Sequence, residues 1–508
     1  MNLEKSDKTD TEKLPFEEAL SKVGSGIYVI LLVCLTSISL LDFVSTAYNS
    51  MFVVPTSACE LETTSSQQGI LAAGPIAGLL IGGNMWSYLA DTRGRRSMLL
   101  IGLIGSAIFN LIGTISFHWV MLLVFQFITA IFASGLYTMS MTLLSECVPI
   151  ANRNTAVLIV FCVMFLGQGF MAMLALPIIP LGFSYHIPWL GIHWNSWRTL
   201  MAVFSLPCTT SAVFLYFMQE SPKFIFTKGN EEKALKVLKT IYRINNRRST
   251  EDLQVKGLLK DEVTATIGII SAKERIIPLF KAPLLKYTII MTILNLAQQL
   301  AAFTVWLPKI TDQFVRSIQT GEGSDLTVCN VLNMPPVPTD SNATPCALDE
   351  TSLLIVLGIG VLQSIFNLCI SFLINLVGRR NLTIFVISFS GISGILVNLV
   401  PNMIGSAVLF IMMILGCVVV GLSTAICVAL FPTNLRAIAV EFTMFAQYIG
   451  IIASIQILNL LLEHHCNVGF FLFSSLLTAS AIVACFLPND RQPQPVKEAP
   501  SEAATSAQ

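Results

Sequence analysis

Long apolar runs recur along this chain, each about the length of a bilayer-crossing helix and separated by short polar breaks. A helix needs about 20 mostly apolar residues to cross a hydrocarbon core of ~30 Å. By that measure the pattern predicts twelve spans: 27–53, 68–90, 98–116, 119–144, 155–176 and 198–218, then 287–308, 352–376, 382–400, 405–430, 437–461 and 468–487. Residues 1–26 and 488–508 are polar and read as terminal segments, the second of them disordered, and residue 27 begins a retained anchor rather than a cleaved signal. Two connections are long. Residues 219–286 hold fourteen Lys and Arg and an amphipathic helix that Asn230 can cap, with Glu231 and Glu232 in its first turn and Leu235, Val237, Leu238 and Ile241 on one face. Residues 309–351 hold Cys329, Cys346 and the sequon Asn342-Ala343-Thr344.

Composition sharpens this picture. Of 508 residues 54% are hydrophobic and only 12% charged, with a mean hydropathy of +0.73, so a water-facing surface could not be covered in the ordinary way. The predicted class is an all-α, multi-pass membrane protein. Thirty basic and thirty acidic residues cancel, which excludes the basic surplus of a nucleic-acid binder. No phosphate-binding loop, catalytic triad or metal-ligand cluster stands in the chain, so ATP, a cofactor, a metal and an enzymatic role are all left out of the expectation. With twelve spans, only Arg198, Lys309 and Arg316 fall on one side and the other basic residues on the opposite side. That bias predicts two cytoplasmic termini, with 219–286 inside and 309–351 outside. Asn342 is then the site open to a glycan, and Asn381, in the sequon Asn381-Leu382-Thr383, is not. Cys329 and Cys346 share the outer loop, where a disulfide between them can form.

The spans divide six and six about 219–286, and the halves carry matching landmarks. Gly94-Arg95-Arg96 follows the second span and Gly378-Arg379-Arg380 the eighth; Pro149-Ile150-Ala151-Asn152-Arg153 follows the fourth and Pro432-Thr433-Asn434-Leu435-Arg436 the tenth. The separations are 378 − 94 = 284 and 432 − 149 = 283. Two unrelated motifs at nearly one offset predict a duplicated six-helix unit, residues 27–218 and 287–487, the architecture of a rocking secondary transporter.

At these residues the chain resembles the major facilitator superfamily. Leu89-Ala90-Asp91-Thr92-Arg93-Gly94-Arg95-Arg96 is similar to that family's signature between helices two and three, departing at Ser87 and Thr92, and the second copy carries Asn375 in place of the acid. Phe16-Glu17-Glu18-Ala19, Trp197-Arg198, Gln219-Glu220-Ser221-Pro222-Lys223 and Thr304-Val305-Trp306-Leu307-Pro308 resemble the branch of synaptic vesicle glycoprotein 2 and its related proteins, near the organic ion and sugar porters. The resemblance implies a monomeric secondary carrier in a plasma or vesicle membrane. It would bind a small organic solute, sugar-like or cationic, by alternating access and with protons as a candidate coupling ion. The alternative it carries is a carrier-shaped binding protein that does not transport.

The residues then divide into a solute or proton site and a gate. Asp42 sits deep in the first span, where a carboxylate is costly and tends to mark a solute or proton path. Gln126 stands where many relatives have a partnering arginine, leaving Asp42 free for proton exchange or for a cationic solute. Gln298 and Gln299 resemble the paired amides of sugar porters, Gln168 is a further such amide, and Trp306 is placed to stack on a ring or cation. Asp91, Arg95, Arg96, Glu146, Arg153 and Arg436 cluster at predicted helix ends and form the expected cytoplasmic gate. Glu441, one turn into the eleventh span, reads more readily as a capping or snorkelling residue than as part of the solute site.

Overall fold

The computed structural model describes residues 13–246, 255, 257–259, 277–319, 327–332, 348–431 and 435–488. Ten helices among them are long and apolar enough to cross a bilayer, from Ile27–Ser57 to Cys466–Ala484, and Ser65–Gly83 with Met85–Arg93 makes an eleventh span bent by 41°. The twelfth expected span is the helix Arg379–Leu396. It opens on Arg379, Arg380 and Asn381, so its apolar stretch starts only at Leu382 and is the shortest of the set. Large apolar side chains such as Ile30, Phe372 and Ile482 ring the outside, while Thr36, Ser39, Asn110, Asn295 and Gln363 are buried between helices. That inside-out distribution is what a lipid solvent selects.

The duplication is visible in the backbone. Gly94 ends the second span and starts Arg95–Gly113; Gly378 ends Glu350–Val377 and starts Arg379–Leu396. Both have positive φ, 112° and 89°, which only a residue without Cβ adopts cheaply, so each glycine makes the same sharp corner. The Pro149 landmark starts the fifth span, Ile150–Ala175, and its counterpart Pro432 lies outside the described residues.

The two halves meet along two helix pairs. Ile150–Ala175 packs on Glu350–Val377, and the second span packs on Arg436–His464. In the first pair Gly169 and Gly360 bring the backbones so close that a Cβ on Gly360 would lie 2.4 Å from the nitrogen of Gly169, and Ser364 donates to the Cys162 carbonyl at 2.9 Å. In the second pair Asn459 donates to the Ser65 carbonyl at 2.8 Å.

Residues 13–26 are more ordered than their polarity suggests. Phe16–Val23 is a helix whose Phe16, Ala19, Leu20 and Val23 are buried, the i, i+3, i+4, i+7 stripe of an amphipathic helix. The expected linker helix forms as Glu231–Asn246, with the Asn230 side chain accepting from the Lys233 amide at 3.1 Å. Lys13–Pro15 pairs in parallel with Gly257–Leu259, and the whole group packs beneath the first six spans. A second, antiparallel pair, Tyr185–Ile187 with Ile192–Trp194, lies on the opposite face.

Candidate functional site

A cavity of about 220 Å³ lies between the halves, walled by residues of both. Aromatic rings dominate it: Phe43 and Tyr48 from the first span, Tyr137 from the fourth, Phe161 and Phe165 from the fifth, and Tyr448 from the eleventh. Four amides enter it, Gln168, Gln298, Gln363 and Gln447. Glu441 is its one lining residue with a charged side chain among the described residues, and the Ser87 hydroxyl of the other half donates to it at 3.4 Å. Such a pocket offers ring faces, a few neutral hydrogen-bonding groups and one anion, which suits a small amphiphilic solute.

Gln168 and Gln298, two of the amides expected at a solute site, line the cavity wall. Gln298 leaves both amide atoms, and Gln168 its carbonyl oxygen, without a protein partner. A short helical break presents Gln298: Leu284–Ala297 ends there and Leu300–Val305 begins two residues later. Gln299, beside it, turns away. Its amide donates to the Leu296 carbonyl and its oxygen accepts from Ser454 at 3.1 Å, so it braces the seventh span against the eleventh. Trp306 is also off the cavity; it is buried in the second-half core with the Lys309 ammonium 5.4 Å from its ring.

Asp42 is not at the cavity either. It is 2% exposed and faces a separate pocket inside the first half, with Ser45, Thr46, Asn49, Ser106 and Asn110. Gln126 is buried, with neither amide atom partnered, and lines neither space. Glu441 is the residue that sequence reading undervalued. Counting turns from the helix start puts it near the surface, but the helix axis and the Ser87 contact carry it inward. Its signal in the sequence was a lone acid in an apolar run, the same signal that drew attention to Asp42.

The expected gate residues fall into separate sets, and among the described residues their pairs join the first half to its flanking segments and none reaches the second half. Arg95 bonds Asp91 at 3.0 Å and Glu146 at 3.3 Å, and the Ser221 hydroxyl donates to Glu146 at 2.5 Å. Arg96 donates through its side chain to the Leu215 carbonyl, and its amide donates to Glu220 at 2.9 Å, Glu220 being a residue that also caps this corner at Ser97. Arg153 pairs with Glu17 at 2.9 Å, and Lys223 reaches the other Glu17 oxygen at 2.9 Å. Burial alone would raise the pKa of Glu17, but the Lys223 hydrogen bond and the charges of Lys223 and Arg153 outweigh it and hold the carboxyl below its ordinary range. The Arg436 side chain lies outside the described residues.

On the opposite face, Arg198 is fully buried. It bonds Glu60 at 2.6 Å, the Thr114 carbonyl at 2.5 Å and the His193 carbonyl at 3.0 Å, and Trp197 and Asn195 complete the shell of Glu60. This closed set ties 185–198 to the turn after the first span. The disulfide differs from expectation: Cys329 is joined to Cys466, which begins the last span, and Cys59 is disulfide-bonded as well. Loop neighbours in sequence are not the nearest partners once Val328–Leu332 packs beside the end of the bundle. Cys346 and Asn342 lie outside the described residues. Asn381 is on the Arg379–Leu396 helix, its amide donating to the Val377 carbonyl at 3.3 Å.

Comparison with known proteins follows the same lines. The chain is 26% identical over 248 residues to synaptic vesicle glycoprotein 2C of Mus musculus, 26% over 225 to synaptic vesicle 2-related protein of Xenopus laevis, and 26% over 243 to solute carrier family 22 member 7 of Bos taurus. These alignments take in 48%, 44% and 47% of this chain, and the chain spans 34%, 38% and 41% of those relatives' lengths. Among solved structures, the xylose transporter XylE from E. coli in a partially occluded inward open conformation superposes with a TM-score of 0.66, covering 91% of this chain and 100% of that one. At 15% identity that likeness establishes the fold. The family model described as Major Facilitator Superfamily matches residues 34–333, more than half of the chain. With its duplicated helical halves and the cavity between them, this chain belongs to the Major Facilitator Superfamily.

Proposed function

We propose that this protein is a secondary transporter of a small organic cation, moved by alternating access through the cavity between the halves. One observation carries the choice of solute: among the described residues Glu441 is the single charged residue lining the cavity, set among Tyr137, Tyr448 and Phe43 with no Lys or Arg in the wall. A carboxylate amid aromatic faces attracts a cation twice, through its charge and through the ring quadrupoles, and an anionic solute would meet repulsion. The Ser87–Glu441 hydrogen bond crosses the halves, so a cation that takes Glu441 from Ser87 weakens one closing contact. Differential contact of that kind is what alternating access requires.

Neutral sugars are the second reading. It is favoured by the unpartnered amides of Gln168 and Gln298 and by the fold shared with a xylose transporter. The basic surplus of the face bearing 219–246 and the Arg95 cluster supports a cytoplasmic position for that face, in a plasma or vesicle membrane.

Counterflow of labelled tetraalkylammonium, aromatic amine and aldopentose probes into proteoliposomes tests both. Cation uptake that Glu441→Gln abolishes supports the leading reading. Pentose uptake lost in Gln298→Ala, with Glu441→Gln active, replaces it with the sugar reading. No counterflow of either class, with folded protein in the bilayer, overturns both in favour of a carrier-shaped binding protein.

A further inference from the structure

We infer that the Asp42 pocket is a sodium site, built into the back of the helix whose front lines the solute cavity. The pocket is small, about 10 Å³, room for one water-sized sphere. Three buried side chains that line it carry oxygens that meet no protein partner: Asp42 Oδ2, Ser45 Oγ and Asn49 Oδ1. All three residues are less than a tenth exposed.

The orientation of Asn49 is set by a chain of hydrogen bonds rather than by choice. The Asn110 amide donates to the Met201 carbonyl and to Ser205, both at 2.8 Å. A backbone carbonyl only accepts, so the Asn110 oxygen is the end left to accept from Asn49 Nδ2, at 3.2 Å. Asn49 therefore keeps its own oxygen as a free acceptor in the lining of the pocket. Two obligate acceptors and a hydroxyl belong to the lining of one space that holds no cationic side chain among the described residues, and the groups set against the Asp42 carboxyl, from Ser106 and Cys208, are neutral.

A buried carboxylate without a counter-charge is expensive. The occupant that answers both the charge and the lone pairs is a hard monovalent cation with oxygen ligands. One carboxylate balances a single charge, which disfavours a divalent ion, and a space for one water favours sodium over the larger potassium.

The placement joins this site to transport. Asp42, Ser45 and Asn49 alternate along the first span with Phe43, Val44, Ala47 and Tyr48, which line the cavity. The helix itself is broken between them: Ile27–Ala47 ends at Tyr48, at φ −111° and ψ 14°, and a new helix starts at Asn49. Ion ligands on one side of a helix break and solute contacts on the other are the arrangement in which one occupant sets the geometry for the other. This coupling rests on the transporter reading; the ion site does not.

The test uses purified full-length protein and its thermal unfolding midpoint in sodium, potassium and choline chlorides at equal ionic strength. A ligand that binds only the folded state raises the midpoint in a saturable way. The expected result is a rise of several degrees in sodium alone, lost in Asp42→Asn. Ser45→Ala, which removes one neutral ligand, is expected to raise the half-saturating sodium concentration several-fold, and it serves if Asp42→Asn does not fold. Equal midpoints in the three salts, as one bound water or a protonated carboxyl would give, overturn the site. So does a sodium shift that survives Asp42→Asn. No solute enters this measurement, so failure here leaves the cavity reading standing, and absence of counterflow leaves the ion site standing.

Discussion

The two halves share one plan and differ at the basic face. In the first, Gly94 turns the chain into a helix start held by charge: Arg95 sits between Asp91 and Glu146, Arg96 and Ser97 meet Glu220, and Glu17 holds Arg153 and Lys223 together. In the second, Gly378 makes the same corner, but among the described residues Arg379 reaches the Ala425 carbonyl alone, at 3.4 Å, and Arg380 Nε is buried without a partner. At the repeat offset, Ala429 stands where the first half has Glu146, and Asn375 where it has Asp91. The corner needs only glycine, so both copies keep it. The ion pairs need acids, and among the described residues they stand in the half that packs on the amphipathic helix 16–23 and the linker helix. A duplicated unit has thus become one braced half and one lightly held half.

Five substitutions test this contrast. Arg95→Ala is expected to have the largest effect, because it leaves Glu146, whose side chain is 13% exposed, without its cation; breaking such a pair costs about 3 kcal/mol. The matched Arg379→Ala is expected to cost less than about 1 kcal/mol. Thermal unfolding of the two variants side by side reads the difference, and equal losses would erase the asymmetry.

Glu17 gives a smaller, pH-dependent effect. Its folded carboxyl titrates below its ordinary value, so the clamp contributes fully above the unfolded carboxylate range and is lost as pH falls through the depressed folded value. Partly exposed pairs are worth about 0.5–1 kcal/mol each. Acidification should therefore release 13–26 to protease before the bundle unfolds, and Glu17→Gln should bring that release to neutral pH. Cleavage insensitive to both would remove the clamp.

Asp91 is the mildest member of the first cluster. Its side chain is 69% exposed, so Asp91→Asn should cost under about 1 kcal/mol and leave Arg95 on Glu146. A large loss, or a changed ratio of cysteine labelling on the two faces, would make Asp91 part of a gate between states. Smallest of all, Ala429→Glu should supply Arg379 with an acid and stabilise the second half by about 0.5 kcal/mol. No gain in midpoint would mean that the corner geometry of the halves differs more than the glycines suggest.

Much of this molecule was legible from composition and spacing. Apolar runs of bilayer length, the offset of 283–284 residues and the basic surplus on alternate connections each depend on position in the chain alone, and they suffice for a duplicated membrane bundle. Gln168 and Gln298 could be singled out as polar amides in apolar helices, but sequence alone does not separate a cavity amide from one that bonds a neighbouring helix, as Gln299 does. What the chain could not announce is rotation. A helix that is apolar on nearly every side, facing lipid on one and neighbours on the other, has too weak a periodicity to say which way one polar residue points. So Asp42 and Glu441 look alike in sequence, and only the assembled bundle set one at a small pocket inside the first half and the other at the cavity between the halves. The same holds for Gln299 against its neighbour Gln298, and for Cys329, whose partner at Cys466 is 137 residues away: direction and long-range adjacency are properties of the assembled bundle.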